Sequence, residues 1–339
     1  MTPAIFGIAG TRLTAEERAF FKDADPAGYI LFGRNCETRD QMRGLTQELR
    51  AIHGREHLFV SIDQEGGRVA RMKPPEWPSY PSGERFAKLY EIAPASAIEA
   101  ARVNAEAMAL ELAHVGITVD FHAPFDVRRP ETVDAIGDRA LGNEPMQVAA
   151  LGRAVLDGMA RAGVVGCLKH MPGHGRAACD THFEMPRITA SKAELESDFE
   201  PFRTLSGHPL GMSAHIVFEA IDPEHPATLS PTIIDTIIRD RIGFDGLLLT
   251  DDIDMQALTG TIPDRASAAL RAGCDIVLNC WAKMEDQLEI TRRHPDMSET
   301  TRARLERVHA AMGGMLDTID TQDLLAKRDA LLAITEPTE

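Results

Sequence analysis

Short apolar runs alternate with longer stretches of helical periodicity along almost the whole chain. The runs at residues 4–8, 28–32, 58–62, 117–121, 164–168, 210–214, 246–250 and 274–279 are near-continuously hydrophobic. Strands that are buried on both faces of a parallel sheet have this character. Between them lie helix signals. Thr14 with Glu17, Thr38 with Gln41, and Ser191 with Glu194 have capping-box spacing. After Thr38, Met42, Leu45, Leu49 and Ile52 recur on one helical face, and residues 94–114 are alanine-rich. Ser230 followed by Pro231 reads as an N-cap and first helical residue ahead of Ile233, Ile234, Ile237 and Ile238. Strand and helix alternating eight times with right-handed crossovers predict an α/β fold, a single (β/α)8 TIM-type barrel. No linker or repeat interrupts the pattern, so residues 1–339 are expected to form one catalytic domain. From Met297 onward the chain reads as extra C-terminal helices packing outside the barrel.

Composition narrows the partners. With 36 Lys and Arg against 52 Asp and Glu, the formal net charge is −16, which argues against a nucleic acid or an anionic membrane as partner. An anionic substrate would need local lysines and arginines to meet it. No apolar run approaches the ~18 residues of a membrane span, and the N-terminus lacks the basic and apolar regions of a signal peptide. The five cysteines, Cys36, Cys167, Cys179, Cys274 and Cys280, are scattered and odd in number. They fit reduced thiols in a cytoplasmic protein better than a disulfide framework. The expectation is a cytoplasmic monomer acting on a small-molecule substrate.

A barrel places chemistry just beyond the C-terminal ends of its strands, and polar clusters fall there. The richest runs from Lys169 to His182 and holds one lysine, three histidines, an aspartate and two glycines. Gly173 and Gly175 allow a sharp turn, and Pro172 stops the strand. Asp180 lies two residues from His182, where its carboxylate can bond one ring nitrogen and raise the basicity of the other. Other clusters are Arg34-Asn35, Asp63-Gln-Glu-Gly-Gly-Arg-Val-Ala-Arg71, His122 to Asp126, Ile136 to Gly142, His215, and Asp251-Asp252-Ile-Asp254.

Each has a plainer reading. Asp251 or Asp252 could cap a helix, Arg139 could pair with Asp138, Asp126 could cap a turn, and His215 could be a satisfied core histidine. His170, His174, Asp180 and His182 offer ordinary zinc ligands, but no H-E-x-x-H or Cys/His spacing supports a metal, and no phosphate-loop or nucleophile-elbow motif is present. No metal or cofactor is expected. The residues alone point to a barrel enzyme for a polyhydroxylated substrate, with carboxylates at Asp63 and Asp251 and a His–Asp dyad.

K-H-M-P-G-H-G followed by D-T-H, together with I-D-Q-E-G-G-R-V-A-R, I-G-D-R-A-L-G and L-T-D-D-I-D-M, resembles glycoside hydrolase family 3, and within it the single-domain β-N-acetylglucosaminidases of bacterial cell-wall recycling. The resemblance implies a retaining exo-enzyme that removes terminal GlcNAc from GlcNAc–anhydro-muramyl peptides. Asp251 matches the nucleophile, His182 the acid/base and Asp180 its orienting partner. Asp63, Arg71, Arg139, Lys169 and His170 match the residues that grip the sugar. Met171 stands where an aromatic is common and Asp254 where a small polar residue is usual. A phosphorylase using the same residues and a silent muropeptide sensor remain open alternatives.

Overall fold

The computed structural model describes residues 1–179, 184–313 and 320–335. Eight strands among them form one all-parallel sheet: β1 (Thr2–Gly7), β2 (Pro26–Leu31), β3 (Phe59–Ile62), β4 (Val119–Asp120), β5 (Leu168–Met171), β6 (Leu210–Ser213), β7 (Leu247–Asp252) and β8 (Ile276–Asn279). The order is β4-β3-β2-β1-β8-β7-β6-β5, so every neighbour pair is also consecutive in sequence except β1 with β8. Representative registers are Tyr29 opposite Val60 and Leu210 opposite Leu247. The two outermost strands of that order are brought together by isolated parallel bridges, Val119 to Val165 and Pro124 to Lys169. The sheet is therefore curled in the manner of a TIM-type domain.

The connections are helical: α1 (Ala15–Ala24), α2 (Arg39–His53), α3 (Gly83–Ile92), α4 (Pro94–His114), α5 (Pro145–Arg161), α6 (Lys192–Thr204), a π-helix over Ile233–Arg241, α7 (Ile262–Ala272) and α8 (Met284–Arg293). Thr14 and Ser191 form full capping boxes with Glu17 and Glu194. Thr38 only accepts from the Gln41 amide, because the Gln41 side-chain oxygen accepts instead from the Glu37 amide at 3.0 Å. Ser230 Oγ caps the π-helix by accepting from the Ile233 amide at 3.0 Å.

Successive strand residues point to opposite sides of the sheet, which divides the core in two. Ile5, Ile30, Phe59, Phe121, Cys167, Met212, Leu249 and Leu278 form an inner cluster. Phe6, Tyr29, Leu31, Val60, Ile62 and Val277 belong to the cluster shared with the helices. α9 (Glu299–Ala311) contributes Leu305 and Val308 to the inner cluster, and the Met297 amide bonds the Met1 carbonyl at 3.0 Å. This helix therefore covers the N-terminal ends of the strands, opposite the polar clusters. α10 (Thr321–Leu332) lies on α4, where Arg328 reaches Asn104 Oδ1 at 3.3 Å.

The strands depart from their expected spans at several ends: the seventh runs on through Asp252, so Asp251 is itself a strand residue, and the fourth is only Val119–Asp120. The fifth begins at Leu168, not Val164, and runs through Met171, so Lys169 and His170 are strand residues. Counting lysine and histidine as polar ends the apolar run too early. Both are tolerated inside the sheet because each has a buried carboxylate partner.

Candidate active site

At the C-terminal ends of the strands a pocket opens that is lined by Asp63, Arg71, Arg139, Lys169, His170, His174, Asp251 and Asp252, with Ile30, Phe32, Phe121, Met212 and Leu278 as its apolar floor and walls. Six of the eight residues predicted as site residues meet here. Asp180 and His182 lie outside the described residues.

Lys169 projects from β5 and is almost fully buried. Its ammonium lies 2.6 Å from Glu65 Oε1 and 3.4 Å from Asp63 Oδ1. Glu65 also takes a bidentate pair of bonds from Arg139, Nη2 at 2.7 Å and Nε at 2.8 Å. Burial alone would push Lys169 toward the neutral amine, but Glu65 and Asp63 reverse that and raise its pKa. Burial likewise opposes the ionised form of Glu65, yet Arg139 and Lys169 hold its carboxyl well below the usual range. Arg71 completes the cationic side. Its Nη2 is 3.2 Å from Asp63 Oδ2, and its guanidinium lies 5.2 Å from the Phe32 ring centroid. Asp63 therefore has a cation on each carboxylate oxygen, which fixes it in place as an acceptor at the pocket wall.

Two buried carboxylates, Glu65 and Asp126, do this positioning, and the sequence reading gave neither a site role. Asp126 is wholly buried. It takes the His170 ring Nδ1 at 2.8 Å through Oδ2, and the backbone amides of His174 and His170 through Oδ1 at 2.7 and 3.3 Å. The turn-cap reading is thus half right, since the same carboxylate also orients the His170 ring and leaves Nε2 for the pocket. We expect Asp126→Asn to lower kcat/KM by about 10- to 100-fold, the usual effect of losing an orienting partner, with little change in melting temperature; steady-state kinetics beside a thermal melt checks this.

The turn after β5 depends on close backbone approach. A Cβ on Gly175 would meet the Val127 carbonyl oxygen at 1.9 Å, so only glycine fits there. His174, also fully buried, lines the pocket with Nδ1 lacking a hydrogen-bond partner, and burial pushes its pKa down to about 4. It is a neutral imidazole in the wall.

Asp251 sits near the end of β7. It is not a helix cap: its Oδ1 accepts from the Asp252 amide at 2.8 Å and its carboxylate borders the pocket. Burial raises its pKa, but the His170 ring and the Asp252 amide outweigh this and keep it below the ordinary carboxylate range. The group is therefore an anion across the whole neutral range. Asp252 supports the strand end, accepting from the amides of Asp254 at 3.0 Å and Cys280 at 3.3 Å. His215 is the satisfied core histidine: Nδ1 meets Thr228 Oγ1 at 2.8 Å and Nε2 the Asp252 carbonyl at 3.0 Å. Arg68, not Arg139, pairs with Asp138. Among the described residues no three His, Cys, Asp or Glu side chains converge as a metal site.

An anionic carboxylate at one strand end, sharing a pocket with charge-paired polar groups from three others, is an arrangement that suits a glycoside hydrolase. Residues 5–310 match the glycosyl hydrolase family 3 N terminal domain, and the chain belongs to that family. It is 38% identical over 312 residues to the beta-hexosaminidase of Alkalilimnicola ehrlichii, covering 91% of this chain and 88% of that protein. Among solved structures it resembles NagZ from Neisseria gonorrhoeae in complex with N-trifluoroacetyl-D-glucosamine, with 31% identity, a TM-score of 0.86, and 99% and 98% of the two chains covered. A family 3 β-N-acetylglucosaminidase from Paenibacillus is also similar, at 26% identity and TM-score 0.86 over 97% of this chain and 66% of that one.

Proposed function

We propose that this protein is a retaining exo-β-N-acetylglucosaminidase that removes non-reducing terminal GlcNAc from muropeptides in peptidoglycan recycling. The chain, residues 1–339, acts as one catalytic domain, without metal or cofactor, as a monomer in the cytoplasm. The observation that carries the reading is the convergence of Asp251 with Asp63, Arg71, Arg139, Lys169 and His170 in one pocket. The names of the relatives, beta-hexosaminidase and β-N-acetylglucosaminidase, supply the sugar.

In the first step an Asp251 carboxylate oxygen attacks the anomeric carbon. The bond from that carbon to the leaving oxygen breaks, and His182, oriented by Asp180, gives that oxygen its proton. In the second step His182 takes a proton from water, the resulting hydroxyl attacks the same carbon, and the Asp251 ester bond breaks. Net retention follows from two inversions. Asp63, Lys169, Arg139, Arg71 and His170 hold the sugar's hydroxyls throughout.

The test is release of the aryl group from a chromogenic β-N-acetylglucosaminide at neutral pH, beside the β-glucoside, with and without phosphate. Turnover of the acetylated substrate alone, giving free GlcNAc in both buffers, is the expected result. GlcNAc-1-phosphate appearing with phosphate would replace hydrolysis with phosphorolysis. Tight sugar binding with no turnover would make the protein a sensor.

A further inference from the structure

Trp281 is the one large aromatic side chain among the described residues that stands exposed, at 63%. It does not lie at an arbitrary place. It directly follows Cys280, which lines the sugar pocket, in the turn leaving β8 on the pocket's face of the sheet. Three observations show that the turn is held in shape. Asp254 Oδ2 accepts from the amides of Cys280 at 2.9 Å and Trp281 at 3.2 Å, and from Asn279 Nδ2 at 2.9 Å. Arg34 is bonded to the Cys280 carbonyl, Nη2 to oxygen at 2.5 Å. Ala282 has a φ of 55°, a left-handed backbone that a side-chain-bearing residue adopts only when its surroundings enforce it. The Lys283 ammonium lies 5.9 Å from the indole centroid, within cation–π range.

We infer that Trp281 is a platform for the sugar ring of the leaving group, the part of the substrate beyond the scissile bond. This inference rests on the exo-glycosidase reading above. The charged groups of the pocket serve one terminal sugar, so the leaving ring lies beyond them, and Trp281, the residue after the pocket-lining Cys280, offers the polarisable face that the C–H side of a pyranose packs against. An exposed indole on an immobilised turn makes this contact at little entropic cost, since the ring and backbone are already ordered. Asp254, which departs from the usual small polar residue of the family, is the positioning residue that fixes the platform through two backbone amides.

The experiment compares N-acetyl-β-glucosaminyl fluoride, whose leaving group has no ring, with the β-1,4-linked GlcNAc disaccharide, in wild type, Trp281→Ala and Trp281→Tyr. Trp281→Ala should lower kcat/KM for the disaccharide about tenfold, the scale of an aromatic stacking contact, mostly through KM. It should leave fluoride hydrolysis unchanged, and Trp281→Tyr should restore most of the disaccharide rate. Equal loss on both substrates, or no loss on the disaccharide, would overturn the platform. A wild type that hydrolyses neither substrate would instead sink the glycosidase reading on which it stands.

Discussion

Asp251→Ala should lower kcat on a chromogenic β-N-acetylglucosaminide by about 10⁴-fold, the scale on which enzymes lose rate when a covalent nucleophile is removed. KM should move far less, because Asp63, Lys169 and Arg139, the groups proposed to hold the sugar, are anchored to one another and to Glu65 rather than to Asp251. The fold should survive. Among the described residues the Asp251 side chain hydrogen-bonds to the adjacent Asp252 amide alone, so alanine removes a half-buried charge without stranding a distant hydrogen-bond partner. Added azide should restore part of the rate and give the inverted glycosyl azide, since a small anion can occupy the space that the carboxylate leaves. The pH behaviour follows from the sign of the shift. A carboxylate held below the ordinary range, as Asp251 is, stays ionised through neutral and mildly acid pH. Any loss of wild-type kcat/KM near the histidine range, about pH 6.5, must therefore come from another group, and His182 is the one to examine. A residual rate within about tenfold of wild type in Asp251→Ala would remove this residue from the chemistry.

The eight strands and six of the eight predicted site residues were legible in the sequence for one physical reason. Strands buried on both faces must be apolar throughout, so the first polar residue at a strand's C-terminal end marks the site face. Asp63 was found this way, and so was Asp251, although β7 runs on through it to Asp252. Lys169 and His170 were found too, but were placed beyond the strand when they lie within it. A single-residue polarity scale cannot register that Glu65 and Asp126, distant in sequence, neutralise them. Glu65 and Asp126 escaped notice for the complementary reason. Their role is defined by what reaches them through space, Arg139 across 74 positions and His170 across 44, and a linear pattern carries no trace of that. Trp281 was equally silent, because an exposed tryptophan becomes informative only when the turn that holds it is seen beside the pocket.

The largest effect on stability is expected from Glu65→Gln. Its carboxylate is buried between the Lys169 ammonium at 2.6 Å and the Arg139 guanidinium at 2.7 Å, with Lys169 only 3% exposed and Arg139 14%. Removing one member of such a group leaves cations in a low-dielectric site, with Asp63 at 3.4 Å as the remaining partner of Lys169. The cost of breaking a buried pair this way is about 3–5 kcal/mol. At roughly 2–4 °C per kcal/mol for a large domain, the melting temperature should fall by on the order of 10 °C. The pH dependence separates this from a packing defect. In the wild type, Glu65 is depressed, so its contribution is present above the ordinary carboxylate range and is lost as pH falls through its lowered value. Lys169 is raised, so its contribution is present below the ordinary lysine range and is lost only as pH rises through its elevated value. The stability that the charged group gives the wild type is then itself flat between about pH 5 and pH 9. In the variant, burial becomes the dominant influence on Lys169 and lowers its pKa, so the amine can shed its proton in the folded state and stability recovers as pH rises. The difference in melting temperature between wild type and Glu65→Gln should therefore be greatest near neutrality and shrink toward pH 10. A difference that is absent at pH 7, or that widens with alkalinity, would show that the glutamate fills space rather than balancing charge.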